Sequence, residues 1–132
     1  MRTALLIIGS CFVFLAALFH VYVFILESLK WRSPKTWKAF GIPSQEHADI
    51  IARMAYNQGF YNLFLALGSG AGLILLTVNT TVGYSLTFFS TASMVGAGAV
   101  LFISAKTSRK AAFMQAGPPL VGALSILIGL SL

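Results

Sequence analysis

Two side chains in this sequence can move protons from within apolar surroundings, His20 and Glu27, and five more can orient a bound molecule by hydrogen bonding: Asn57, Gln58, Tyr61, Asn62 and Gln115. An imidazole changes charge near neutral pH and serves as general acid or base. A carboxyl group at a pocket mouth can act as an acid, and amides, which both donate and accept, can hold a polar head. His20 and Glu27 stand on one helical line, separated by about 10 Å of rise, too far to touch directly. One such histidine with one carboxylate falls short of a metal site. There is no glycine-rich phosphate loop, no zinc-protease pattern, and no Ser-His-Asp set with an aspartate at the right depth. The residues therefore point to acid–base chemistry such as isomerisation, with His20 and Glu27 as the catalytic pair, no metal and no bound cofactor.

The setting for those residues is a membrane. The chain has 132 residues, 58% of them hydrophobic and only 9% charged, which excludes an ordinary soluble domain of this size. A bilayer core about 30 Å thick needs about 20 helical residues to cross, and the apolar runs supply four crossings. The net charge of +6 is explained by membrane orientation and not by a nucleic-acid partner. With Cys11 as the sole cysteine, no intramolecular disulfide can form. Ile8-Gly9-Ser10-Cys11 superficially matches a lipoprotein processing site, yet the apolar run continues well past the cysteine, so cleavage is not expected.

The expected fold is all-α: an integral membrane four-helix bundle, one domain over 1–132, with a short interfacial amphipathic helix between helices 1 and 2. The spans cover about 3–26, 45–78, 83–105 and 111–132, with 28–44 as the interfacial segment. In the first span Gly9, Val13, Ala16, Ala17, His20, Phe24 and Glu27 share a stripe. In the second, Asn57, Gln58, Tyr61, Asn62, Leu65, Gly68, Ser69 and Gly72 fall within roughly 140° of arc and should face inward, because hydrocarbon cannot satisfy amides. Between them, Trp31, Trp37 and Phe40 alternate with Lys35 and Lys38 as membrane-interface anchors, Trp37 and Phe40 dipping into lipid. Ser33 N-caps that short helix, Pro34 opens it and Gly41 closes it, while Ser44 caps the second span. Pro118-Pro119 should kink the fourth span near Gln115.

The 27–48 and 105–111 loops carry seven Lys and Arg against Arg2 on the opposite side, so those loops are expected in the cytoplasm and both termini outside. His20, the second-span amides and Gln115 then converge at one level of the cytoplasmic half. Packing alone needs no such amides, since an unpaired one costs several kcal/mol while an interhelical bond returns about 0.6 kcal/mol. The expectation is a polar pocket for acid–base chemistry on, or binding of, a lipid-like or small amphipathic molecule. Two alternatives stay open: a small-solute or drug transporter acting as a homodimer through Gly68-x-x-x-Gly72 or the third helix, and a structural protein whose polar residues fix helix register. Membrane lipids are expected partners under each.

His20 with Glu27, the Trp31 to Phe40 segment, the run Asn57-Gln58-Gly59-Phe60-Tyr61-Asn62, and Gln115 with Pro118 together resemble a bacterial family of small four-helix inner-membrane proteins catalogued as a domain of unknown function. The resemblance spans nearly the whole chain, with the Asn-Gln-Gly-x-Tyr-Asn run its most distinctive part. It implies the four-helix fold, an inner-membrane location and a family pattern among the polar residues. It supplies no reaction, although some relatives carry the label epimerase.

Overall fold

A helix with apolar residues over most of its surface is suited to lipid, and this chain builds four. The computed structural model describes residues 1–132 and contains helices and no strand. Helix α1 runs over Arg2–Phe24 and passes directly into a π-helical turn, Ile25–Leu29. A six-residue helix α2, Pro34–Ala39, follows. Then come α3, Gln45–Leu75, and α4, Thr80–Ser104, a 3₁₀ turn at Lys106–Ser108, and α5, Arg109–Ser131. Four of these stretches are long and apolar enough to cross a bilayer, so the protein is a multi-pass membrane protein.

Local chemistry sets the element ends. Ser33, with φ −74° and ψ 127°, stands at the N-cap of α2 with Pro34 in the first position. Gly41 follows at φ 76°, a conformation that side chains disfavour. The Ser44 hydroxyl accepts the His47 N–H at 3.3 Å to cap α3, and Asn79 does the same for Val82 at the head of α4 at 3.2 Å. Helix α5 continues unbroken through Pro118 and Pro119. Since neither proline has an N–H, the Met114 and Gln115 carbonyls receive no bond from the next turn.

The long helices form a ring in the order α1, α3, α4, α5, with α5 closing back on α1 and diagonal helices hardly meeting. Gly129 packs against Leu5 and Leu6, so the first and last residues share one end of the bundle and the basic connections occupy the other. Glycine makes the ring tight. A Cβ on Gly122 would sit 3.0 Å from the Gly9 carbonyl, one on Gly72 would sit 2.7 Å from the Thr87 nitrogen, and one on Gly98 would sit 2.7 Å from Ala116 Cβ. Without a hydrophobic drive between helices in lipid, such close approach supplies the dispersion contact that holds them. Gly68 and Gly72 thus serve packing between α3 and α4, at Ser90 and Thr87. The largest wholly buried side chains are Val13, His20, Ser69, Thr87, Thr91, Met94, Pro119 and Ile126.

Candidate functional site

His20 is fully buried on the inner face of α1. Its Nδ1 lies 2.9 Å from the Ala16 carbonyl, one turn back on its own helix. A carbonyl can only accept, so Nδ1 carries the hydrogen and Nε2 of the neutral ring presents a lone pair. That Nε2 is buried with no hydrogen-bond partner. An orphaned buried polar atom of this kind costs about 1–3 kcal/mol, so its retention calls for a reason. The Phe19 ring meets the imidazole edge-on, centroids 5.8 Å apart.

Glu27 lies in the π turn, and the turn matters because widening the helix re-aims the side chains it carries. The Lys30 N–H reaches back five residues to the Ile25 carbonyl at 2.9 Å, and Glu27 is 92% buried against α3, being only 8% exposed. There the Asn62 amide donates to its Oε2 at 2.9 Å, and the same nitrogen donates to the Gln58 carbonyl at 3.2 Å. Both amide hydrogens are thereby used. The carboxylate is met by an amide and not by a cation, an unusual state for a buried carboxylate. Ser28 donates to the Tyr56 carbonyl at 2.8 Å, and Gly59 lets the turn dock: a Cβ there would collide with the Ser28 hydroxyl.

The connecting segment lies over this end. Trp31 and Trp37 are buried against Ala48 and Ala55 of α3, with Phe40, Ile42, Ile51 and Ala52 around them. The Trp31 indole donates to the Ala48 carbonyl at 2.9 Å, and the Trp37 indole to Gln45 Oε1 at 3.2 Å. Trp37, expected in lipid, instead packs inward, because an indole N–H finds a fixed acceptor on α3 and its ring an apolar cluster. Phe40 is half-buried beside Trp31, rings 5.5 Å apart. Lys35 is exposed, and the Lys38 ammonium lies 5.5 Å from the Trp37 ring centroid, a cation–π arrangement.

Of the seven pocket residues expected from the sequence, the structure joins Glu27 and Asn62 directly and buries His20 two turns deeper on α1. Gln115 is half-buried on α5, one turn before the prolines. Asn57, Gln58 and Tyr61, expected to face inward, are exposed. The buried line of α3 is Ala48, Ala55, Gly59, Asn62, Ala66, Ser69 and Gly72, chosen by small size and not by polarity. Asn57 and Gln58 flank the level at which α3 meets Ser28, two residues before the loop cation Lys30. Sequence reasoning missed the π turn, the Ser28–Tyr56 bond and the docking role of Gly59. The glycine amid the amides was the one visible signal. It also missed Thr87, whose buried hydroxyl has no partner. A cleft of about 220 Å³ opens between α4 and α5, and one of about 290 Å³ at the opposite end beside Cys11 and Tyr84. Neither touches His20 or Glu27.

No curated protein and no solved structure matches the chain. A family model described as a protein of unknown function, DUF1304, matches residues 14–127, a span that takes in His20, Glu27, Asn62, Gln115 and the whole α1–α3 connection. The chain belongs to the DUF1304 family.

Proposed function

We propose that the protein takes a small amphipathic, lipid-like molecule from the membrane at the basic end of the bundle, holds its polar head at Glu27 and Asn62, and performs isomerase-like proton transfer at His20. The observation that carries the reading is His20 Nε2, a lone pair kept buried and unpartnered. A neutral imidazole in that state is a base waiting for a proton. In the proposed step Nε2 removes a proton from one carbon of the substrate and returns it at another, so a double bond moves and no atom is gained or lost. Glu27, in the π turn beyond α1, lies too far from His20 to share that proton and acts on the head group at the mouth, beneath the Trp31–Phe40 cover. Substrate entry requires the inter-helix contacts beside His20 to part, because the imidazole is closed off in this conformation.

The same reading puts the 27–48 and 105–111 loops in the cytoplasm of a bacterial inner membrane, with both termini outside, on the strength of their basic residues. The test is to purify the protein in nanodiscs, extract what accompanies it, and identify it by mass spectrometry. Wild type should carry an amphipathic species that Glu27→Gln and Asn62→Leu lose. His20→Ala should retain it and fail to interconvert its isomers. Interconversion unchanged in His20→Ala would overturn the chemistry, and absence of any bound species would overturn the site. The rival, purely structural reading draws on the Nδ1 bond to Ala16 within the same helix, and it predicts that the bundle simply tolerates His20→Leu.

A further inference from the structure

The α4–α5 cleft is entirely apolar and lies at the basic end of the bundle, lined among others by Gly98, Phe102, Ile103, Phe113 and Ala116. It ends where the cations begin. Lys106 stands in the 3₁₀ turn directly after α4, and Arg109 and Lys110 open α5. The Arg109 guanidinium lies over the Phe102 ring, 4.8 Å from its centroid, and Phe102 meets Phe113 edge-on at 5.2 Å. The aromatic floor of the cleft therefore holds a guanidinium at its mouth. No acidic side chain lies in the first turn of α5 and its N-cap, Ser108, makes no side-chain cap bond, so nothing neutralises the positive charge there.

An apolar groove along the last turns of α4 and the first turns of α5, with Arg109 over its aromatic wall and Lys106 and Lys110 in the adjoining turns, matches one amphiphile: an acyl chain bearing an anionic head. We propose that the α4–α5 cleft is a binding site for an anionic phospholipid, with one acyl chain in the groove and its phosphate among Lys106, Arg109 and Lys110. Arg109 is the key contact, since a planar guanidinium stacked on Phe102 can present two N–H groups to a phosphate. This site is separate from His20 and Glu27, which do not line it, and it stands or falls without the proposed chemistry.

The experiment is native mass spectrometry of the full chain released from nanodiscs containing equal phosphatidylglycerol and phosphatidylethanolamine of the same chain length. Wild type should retain phosphatidylglycerol preferentially. Arg109→Gln should lower that preference about fivefold, the expected effect of one surface cation, whereas Arg53→Gln, an equal loss of charge on α3, should leave it intact. Ala99→Phe, which fills the groove from its exposed side without touching a cation, should abolish retention while the protein stays folded by circular dichroism. Equal loss in Arg53→Gln and Arg109→Gln would reduce the effect to overall charge and overturn the site. Full retention in Ala99→Phe would overturn it as well, as would cross-linking from Phe113 that captures a second copy of the chain in the groove.

Discussion

The two ends of this bundle are held by different forces. At the basic end, side chains cross between segments: Asn62 to Glu27, Ser28 to the Tyr56 carbonyl, Trp31 to the Ala48 carbonyl, Trp37 to Gln45. Through the rest of the bundle the hydroxyls of Ser69, Ser85, Thr91 and Ser93 turn back to carbonyls of their own helices, and adjacent helices meet through glycine. The difference teaches where this sequence tolerates polar cross-links. In the apolar middle a hydroxyl is satisfied locally and packing does the joining. Fixed polar links between elements concentrate where the π turn, the amide run and the tryptophan cover meet.

Substitutions in the two regions should differ in effect, the largest at the glycine joints. Gly72→Ala brings a Cβ to 2.7 Å from the Thr87 nitrogen, and should lower bundle stability by about 3 kcal/mol, as overpacking does, read by steric-trap or detergent unfolding. A loss below that of any polar variant would refute glycine packing as the main joint. Asn62→Leu leaves the Glu27 carboxylate buried without its donor and should cost about 1.5 kcal/mol, between the value for a bond to a charged group and the membrane average. Restoration by Asn62→Gln would show that the bond, and not the volume, carries the effect. Trp31→Phe removes the indole donor and should cost about 1 kcal/mol, visible as faster amide exchange in the first turns of α3 with α4 and α5 unaffected. Ser69→Ala, which deletes only a bond to its own helix, should stay within about 0.5 kcal/mol of wild type, as should Asn57→Leu on the exposed face. If Ser69→Ala matched Asn62→Leu, the two ends would not differ in kind.

Much of the fold was legible because single residues announce it. Ser33, Pro34 and Gly41 bracket α2, Ser44 caps α3 through the His47 N–H, and four apolar runs have the length a span needs. The inward placing of His20 and Asn62 was legible too. Asn57, Gln58 and Tyr61 were not, since a helical-wheel argument sends every amide inward, whereas the face that α3 buries is set by Ala55, Gly59, Asn62, Ala66 and Ser69. The rotation of α3 was settled instead by Gly59, whose lack of a side chain admits Ser28. Trp31 and Trp37 read as lipid anchors in the sequence, but an indole serves equally as a buried cover, and only the partners on α3 decide.

The π turn at Ile25–Leu29 holds one residue more than an α-helical turn spanning the same rise would need. It acts as a phase shifter. Rewinding the same residues as ordinary α-helix, with none removed, would swing everything after the turn by about 100° about the axis of α1, whereas deleting one residue would restore ordinary winding and leave the phase beyond the turn nearly unchanged. Glu27, Ser28 and Trp31 meet their partners only in the present phase. A chain shortened by Leu26 alone should therefore insert, keep its four spans and hold Trp31 near its present phase, so that its link to the Ala48 carbonyl survives, whereas a one-residue insertion that the helix winds in regularly should swing that indole away from α3.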